Sequence, residues 1–232
     1  MKAAIMQPYL FPYIGYFQLI HAVDLFVVFD DVNYIKKGWI NRNSILVNGT
    51  ANMFSISLKQ VSQNKLINEI SINETSGWNK DLLKTIEFSY KKSPHFDTVF
   101  PLIEKIVNHP ETNLARFITN SLKEICTYLQ IDTKIMVSSQ IEKDNNLKGQ
   151  DKILDICKQL QATDYVNAIG GMGLYDRETF SQRGIALHFI KTLPVSYPQF
   201  KNEFIPWLSV IDVMMFNSPG QIKNILNNYE LV

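Results

Sequence analysis

Cysteine is scarce in this chain, which has only Cys126 and Cys157 among its 232 residues. Both lie in segments whose apolar spacing is typical of amphipathic helices, so we expect buried, reduced thiols rather than a disulfide or a pair of metal ligands. The four histidines are scattered without the spacing of metal ligands. The sequence therefore predicts no metal site.

An excess of charge of one sign is also missing. Lys and Arg number 23 against 22 Asp and Glu, which gives a net charge of +1, so we expect no nucleic-acid partner. The longest apolar stretches, residues 23–29 and 204–216, are shorter or more interrupted than the roughly 20 residues that cross a bilayer. No signal peptide is visible at the N-terminus. These features predict a cytoplasmic protein with no direct membrane insertion.

Signatures of common catalytic sites are absent from the sequence. It contains no Gly-x-Ser-x-Gly, no Walker A sequence and no Gly-x-Gly-x-x-Gly. Candidate residues must therefore be sought where predicted strands end.

The spacing of apolar residues predicts alternating strands and helices. Residues 3–6 and 25–29 have strand character and flank a helix over residues 13–23, which forms a βαβ unit. Such a unit brings the loops after both strands to one edge of a parallel sheet. The alternation resumes with strands over 133–138, 164–168 and 185–190 and helices over 150–161, 176–182, 208–216 and 221–229.

The middle of the chain has a different character. Asn48-Gly49 separates two short strand-like runs and favours a β-hairpin, and helical patterns follow over residues 78–90, 100–107 and 113–129. We predict an α/β fold with a parallel-sheet, Rossmann-like core, a helical insertion and a β-hairpin. Residues 1–232 would form a single domain, with residues 76–130 as a helical subdomain.

The loop after the first strand is unusually rich in aromatic residues and proline. Prolines fix its backbone, Gly15 permits a close approach, and the start of the following helix offers N–H groups to an anion such as phosphate. A nucleotide or phosphosugar is therefore expected here, unless the aromatics simply pack the loop against the sheet. The candidate substrate-binding residues of this loop are Gln7, Tyr9, Tyr13 and Gln18, with Tyr16 as a catalytic candidate.

The same corner resembles the start of the nucleotidyltransferases of the HIGH-motif superfamily. In that superfamily a first strand leads to a proline and then to Gly-His at a helix start, and Gly15-Tyr16 would occupy the Gly-His position here. The imidazole that polarises a triphosphate is missing, so the resemblance supports a nucleotidyltransferase-like fold more than that reaction.

Asp30-Asp31 ends the second strand, where paired carboxylates could bind sugar hydroxyls, hold Mg²⁺ or accept a proton. We take Asp31 as a candidate general base, although a capping role is an alternative. The loop that follows offers cations to a diphosphate and amides to hydroxyls, or is simply solvated. Its candidate residues are Lys37, Asn41, Arg42 and Asn43.

Further candidates follow the later strands. Gly170-Gly171 could cradle a phosphate at a strand end, with Tyr175 close behind. Ser139 ends another strand, and Lys148 precedes a helix. Asp212 is an acid in an apolar helix, so we expect it to hold Arg42 or a tyrosine hydroxyl in place.

Several of these segments, in this order, resemble the WbqC-like protein family. They are residues 5–20, the stretch from Asp30-Asp31 to Trp39-Ile-Asn-Arg-Asn43, Lys148-Gly-Gln150, Gly170-Gly171 with Tyr175, and residues 207–212. The resemblance covers nearly the whole chain, and the opening segment is its most specific part. It implies a role in the synthesis of bacterial surface polysaccharide, O-antigen in particular.

We therefore expect an enzyme that transfers an acyl or aminoacyl group to the amine of a nucleotide-linked amino sugar. One alternative is a non-catalytic sugar-nucleotide binding or scaffold protein that assists the enzymes of polysaccharide assembly. Another is an ATP-dependent ligase that joins an amino acid to a sugar amine, for which ATP with Mg²⁺ would be the cofactor.

Overall fold

The computed structural model describes residues 1–201 and 203–232. The strands are β1 Lys2–Met6, β2 Leu25–Val28, β3 Arg42–Val47, β4 Thr50–Ser55, β5 Leu58–Lys59, β6 Ser71–Ile72, β7 Lys134–Val137, β8 Asp164–Ala168, β9 Ala186–Thr192 and β10 Tyr229–Leu231. The helices are α1 Ile14–His21, α2 Trp78–Tyr90, α3 Phe96–Val107, α4 Leu114–Tyr128, α5 Gly149–Gln159, α6 Arg177–Gln182, α7 Val210–Phe216 and α8 Pro219–Leu226.

Six strands form one central sheet in the order β10-β9-β8-β1-β2-β7. All neighbouring pairs are parallel except β10, which runs antiparallel to β9. The chain builds the sheet from β1 outward through β2 and β7, and then returns to place β8 on the other side of β1. The order therefore reverses between β1 and β8, which is where open α/β sheets bind ligands. The predicted α/β class with a mainly parallel sheet is confirmed.

Both faces of the sheet are buried, because its strands alternate side chains between two apolar layers. Ala4, Phe26 and Val28 pack with α1 and the helices on its side of the sheet. Ile5 and Val27 pack with α5 and α6 on the opposite side. Consecutive residues at a strand end therefore point into different environments. No helix within residues 1–201 and 203–232 combines the length and apolar character needed to cross a membrane.

The predicted β-hairpin is present as β3 and β4, with Val47 opposite Thr50. Asn48 and Gly49 have φ values of 50° and 76°, as the two central residues of a type I′ turn require. Helices α2, α3 and α4 occupy the stretch for which we predicted a helical subdomain.

The end of the chain differs from the predicted helix over residues 221–229. Helix α8 ends at Leu226, and residues 229–231 pair with β9 instead. Without the terminal residues β9 would be an edge strand with unpaired backbone groups, and pairing with it competes with continuation of the helix. The apolar spacing of the sequence carries no information about that edge.

Candidate functional site

A cavity of about 300 Å³ lies where the strand order reverses. Met6 at the end of β1 and Ala168 at the end of β8 both line it, so it opens at the carboxyl edge of the sheet. The remaining lining residues are Tyr9, Pro12, Tyr13, Gly15, Tyr16, Leu19, Trp39, Asn43 and Trp207. We call this space the switch-point cavity. Four residues proposed from the sequence therefore meet here: Tyr9, Tyr13, Tyr16 and Asn43.

The loop above this cavity is held in shape by hydrogen bonds to its backbone carbonyls. Asn43 Nδ2 donates to the carbonyl oxygens of Leu10 at 3.2 Å and Phe11 at 2.9 Å. Ser209 Oγ also donates to the Phe11 carbonyl, at 2.8 Å. Phe11 has a φ of 41°, which is rare for a bulky side chain. These bonds stabilise the strained backbone, so Asn43 positions the loop as well as lining the cavity.

Tyr16 is a buried residue of the cavity wall, and its hydroxyl already has a hydrogen-bond partner. Its hydroxyl donates to the carbonyl oxygen of Gln7 at 2.7 Å, and its ring lies 5.6 Å from that of Tyr9. Burial raises the pKa of Tyr16 well above its usual range, and it also raises the pKa of Tyr9. The raised pKa values disfavour the phenolate form of both side chains, which is the form that a general base at Tyr16 would need.

Tyr13 folds back over the start of α1 because Gly15 has no side chain there. A Cβ atom at position 15 would lie 2.1 Å from the Tyr13 hydroxyl oxygen. The Tyr13 ring meets the edge of Trp207 at 5.5 Å between centroids, and its hydroxyl lies 3.4 Å from Thr192 Oγ1. Tyr13 and Trp207 thus form one side of the cavity.

Two exposed tryptophans line the cavity, and neither is among the site residues that the sequence predicts. The exposed fractions are 49% for Trp39 and 70% for Trp207. Exposed aromatic faces stack on nucleotide bases and on the apolar faces of rings. Both residues lie in segments that carry the family resemblance, but no sequence pattern indicates that they share a cavity.

The loop that carries Trp39 is braced by Arg42. Arg42 Nε donates to the Gly38 carbonyl at 2.9 Å, Nη2 bonds to the Lys37 carbonyl, and the guanidinium lies 5.9 Å from the Trp39 ring. Lys37 itself is exposed. Asn41 instead accepts a hydrogen bond from Tyr34 and donates to the carbonyl of Ile56, so it ties the loop to its neighbours.

Asp31 does not line the switch-point cavity. It lies 2.8 Å from Lys143 Nζ and 3.3 Å from Lys152 Nζ, and all three side chains are nearly buried. Burial alone would raise the pKa of Asp31, but the hydrogen bond from Lys143 and the charge of Lys152 outweigh it, so the pKa lies below its usual value. This ion pair ties the end of β2 to the segments around α5.

Asp30 has a different set of partners. Its carboxylate accepts from Ser139 N at 2.9 Å, Ser139 Oγ at 2.7 Å and Asn68 Nδ2 at 3.1 Å. Asp30 and Ser139 thereby join the ends of β2 and β7 beside a separate polar cleft of about 410 Å³.

Two other candidates are buried supports rather than cavity residues. Gln18 donates to the carbonyls of Ile225 at 2.7 Å and Asn228 at 3.1 Å and accepts from Thr192 Oγ1 at 2.6 Å, which anchors the end of α8. Asp212 accepts from Tyr90 at 2.8 Å and from Tyr197 and Gln199 at 2.7 Å. Burial raises the pKa of Asp212. Two of these three partners are tyrosine hydroxyls, one of the two alternatives expected from the sequence, and the third is the Gln199 amide.

The glycine-rich segment follows directly on the cavity without lining it. Gly170 and Gly171 lie in a 3-10 turn, Ile169–Leu174, that begins next to Ala168. Tyr175 packs against Tyr165 at 5.6 Å between ring centroids, and Lys148 stands at the N-terminal cap of α5. Within the described ranges, His, Cys, Asp and Glu do not gather in the groups of three that could hold a metal ion.

Comparison with known proteins identifies a family model and a relative of similar length. The model of the WbqC-like protein family matches residues 7–224. "Uncharacterized protein Rv1507c" from Mycobacterium tuberculosis (strain ATCC 25618 / H37Rv) is 29% identical over 228 residues, which cover 97% of this chain and 97% of that protein. No solved structure matches this chain.

Proposed function

The chain belongs to the WbqC-like protein family, and from this premise we propose that it acylates or aminoacylates the amine of a nucleotide-linked amino sugar. The sugar would be destined for a bacterial surface polysaccharide such as O-antigen, the setting that the family's name suggests. The observation that carries the proposal is the position of the switch-point cavity, between the carboxyl ends of β1 and β8. Nucleotide ligands of Rossmann-like sheets bind at this point.

The cavity and its rim match the parts of a nucleotide sugar. Trp39 and Trp207 present exposed rings for a base or sugar to stack on. The first turn of α1 contains no acidic residue, and Tyr13 provides no side-chain cap. The Tyr16 N–H donates to the Tyr13 carbonyl at 3.0 Å, so the N–H groups of Ile14 and Gly15 are the ones offered to phosphate. Lys36 and Lys37 are exposed on the loop that carries Trp39, where they add positive charge.

The proposed reaction joins two substrates at this rim. The lone pair of the sugar amine attacks the carbonyl carbon of an activated ester or thioester, and an amide C–N bond forms. The bond from the carbonyl carbon to the leaving oxygen or sulfur breaks, and the proton lost by nitrogen passes to the leaving group through solvent. Tyr9, Tyr13 and Tyr16 would contact the substrate. Asp31 is left out of this step because it does not line the cavity and is paired with two lysines.

Thermal-shift measurement against nucleotides and nucleotide sugars tests the binding step. A nucleotide sugar at about 100 times its Kd would stabilise the fold by about 2.7 kcal/mol, which corresponds to about 5–10 °C for a chain of this size. Trp39→Ala removes one stacking partner, worth about 1–3 kcal/mol, and should lower the stabilisation to about 0.3–1.8 kcal/mol at the same ligand concentration. Phe88→Ala, which removes another exposed aromatic residue from α2, should retain the full stabilisation. An equal shift in both variants, or no shift with any nucleotide sugar, contradicts the proposal.

Product analysis then separates the proposed activity from its rivals. Formation of an amide on the sugar without ATP supports acyl transfer. Amide formation that requires ATP and releases pyrophosphate would indicate an adenylate-forming ligase of nucleotidyltransferase-like chemistry. Binding without product, under any donor, would indicate a binding or scaffold protein.

A further inference from the structure

A larger cavity, of about 510 Å³, lies directly beside the switch-point cavity. Tyr13 and Trp207 line both cavities and form a wall that the two cavities share. The outer boundary is the segment that follows β9, residues 193–195, together with Phe204 and Pro206. We call this space the second cavity. Its position places any occupant next to a ligand of the first.

The side chains that line the second cavity are almost all apolar. Ile14, Leu193, Val195, Phe204, Leu208 and Val213 are examples. A cavity of this kind favours an apolar ligand, because burial of apolar surface provides the binding free energy.

The three side-chain hydroxyl groups of its lining residues already have partners. The Tyr13 hydroxyl lies 3.4 Å from Thr192 Oγ1. The Tyr197 hydroxyl donates to Asp212 Oδ2 at 2.7 Å, and Thr192 Oγ1 donates to Gln18 Oε1 at 2.6 Å. The remaining charged group, Lys191, lies 3.7 Å from Glu230 at the exposed edge of the sheet. A nucleobase in this cavity would have to leave its polar edges unpaired, which is costly. An aliphatic chain has no such requirement.

We infer that the second cavity binds the aliphatic chain of the acyl donor, while the acceptor sugar occupies the switch-point cavity. This inference rests on the proposed function and adds the class of donor, an acyl group with a hydrocarbon chain. A transfer reaction requires both substrates to be held next to each other. The shared wall of Tyr13 and Trp207 provides that meeting point, since both residues line both cavities.

Free fatty acids provide a probe that does not depend on turnover. We would measure the binding of butyric, octanoic and myristic acid to the full chain by titration calorimetry. Each CH₂ buried should strengthen binding about fourfold. Octanoic acid should then bind on the order of 100-fold more tightly than butyric acid, and the gain per CH₂ should fall once the cavity is filled.

Val195→Trp fills the second cavity and should weaken octanoate binding at least tenfold. Val195→Ala, at the same position, should leave the cavity open and retain binding. If circular dichroism shows that Val195→Trp is not folded, Leu193→Asn replaces it, since it puts an amide into the same apolar wall. Trp39 lines the switch-point cavity and does not line the second cavity, so Trp39→Ala should bind octanoate normally.

Three results would overturn the inference. The first is a fatty-acid affinity that does not depend on chain length, and the second is octanoate binding that Val195→Trp leaves unchanged. The third is competition between uridine monophosphate and octanoate that Val195→Trp abolishes, because the nucleotide would then occupy the second cavity. The outcomes also separate this inference from the proposed function. Octanoate binding without any shift from nucleotide sugars would reject the proposed function alone. If nucleotide sugars bind but the affinity for fatty acids does not depend on their chain length, the second cavity is rejected as a donor site.

Discussion

The Tyr13 hydroxyl oxygen lies 2.1 Å from the position that a Cβ atom would take at Gly15. Two residues that are close in sequence thus determine the shape of the wall between the two cavities. Glycine at position 15 is required by this contact rather than by its backbone dihedrals, since its φ is not positive. A substitution at Gly15 therefore tests whether ligand binding needs this wall.

Gly15→Ala should push the Tyr13 ring away from the start of α1 and towards one of the cavities. We expect the affinity for a nucleotide sugar to fall at least tenfold, while the melting temperature changes by a few degrees at most. Thermal shift with and without ligand measures both quantities. Gly220→Ala in α8, where nothing lies within 4 Å of an added Cβ, is the matched control and should bind normally. Normal affinity in Gly15→Ala would show that the wall is not needed.

Asn43→Ala should destabilise the aromatic loop. It removes the donor that satisfies the Leu10 and Phe11 carbonyls beside the strained backbone of Phe11. We expect a loss of about 1–3 kcal/mol in the free energy of unfolding, measured by urea denaturation. Asn52→Ala, at an exposed position of β4, should change it little. Equal stability of the two variants would mean that Ser209 suffices to hold the loop.

Asp31→Asn should lower stability strongly, because it leaves Lys143 and Lys152 buried without their counter-ion. Loss of one partner from a buried ion pair costs about 3–5 kcal/mol. Since the pKa of Asp31 is lowered in the folded state, its contribution is present above the usual carboxyl pKa and is lost as the pH falls through the folded value. Urea denaturation of wild type between neutral and strongly acidic pH should show this loss, and the variant should lack it.

The same variant separates a structural role from a catalytic one. The folded fraction of Asp31→Asn should retain binding of nucleotide sugars and turnover, because the side chain is outside the switch-point cavity. A fully folded variant that binds normally but has lost turnover would instead assign Asp31 the role of general base.

The two cysteines should be inert in the folded protein. Burial raises the pKa of Cys126 and of Cys157 to about 12, and neither forms a disulfide. A thiol reagent reacts with the thiolate, so both should be labelled only after addition of denaturant. Rapid labelling of either thiol at neutral pH in the native protein would contradict the burial seen here.

The sequence determined the local elements of this fold. The strand over residues 164–168 and the helix over residues 78–90 coincide with β8 and α2, because each depends on the apolar spacing of a few neighbouring residues. The hairpin at Asn48-Gly49 was equally predictable, since its turn requires two residues that tolerate positive φ. The burial of both cysteines follows from the same amphipathic spacing.

Only the tertiary structure decided which side chains meet. Asp30 and Asp31 are neighbours in sequence just beyond the end of β2, yet they bind different partners, Asp30 at Ser139 and Asp31 at Lys152. Trp39 and Trp207 come from distant loops and share a cavity because the strand order reverses between β1 and β8. These contacts depend on strand order and face, which local periodicity does not encode.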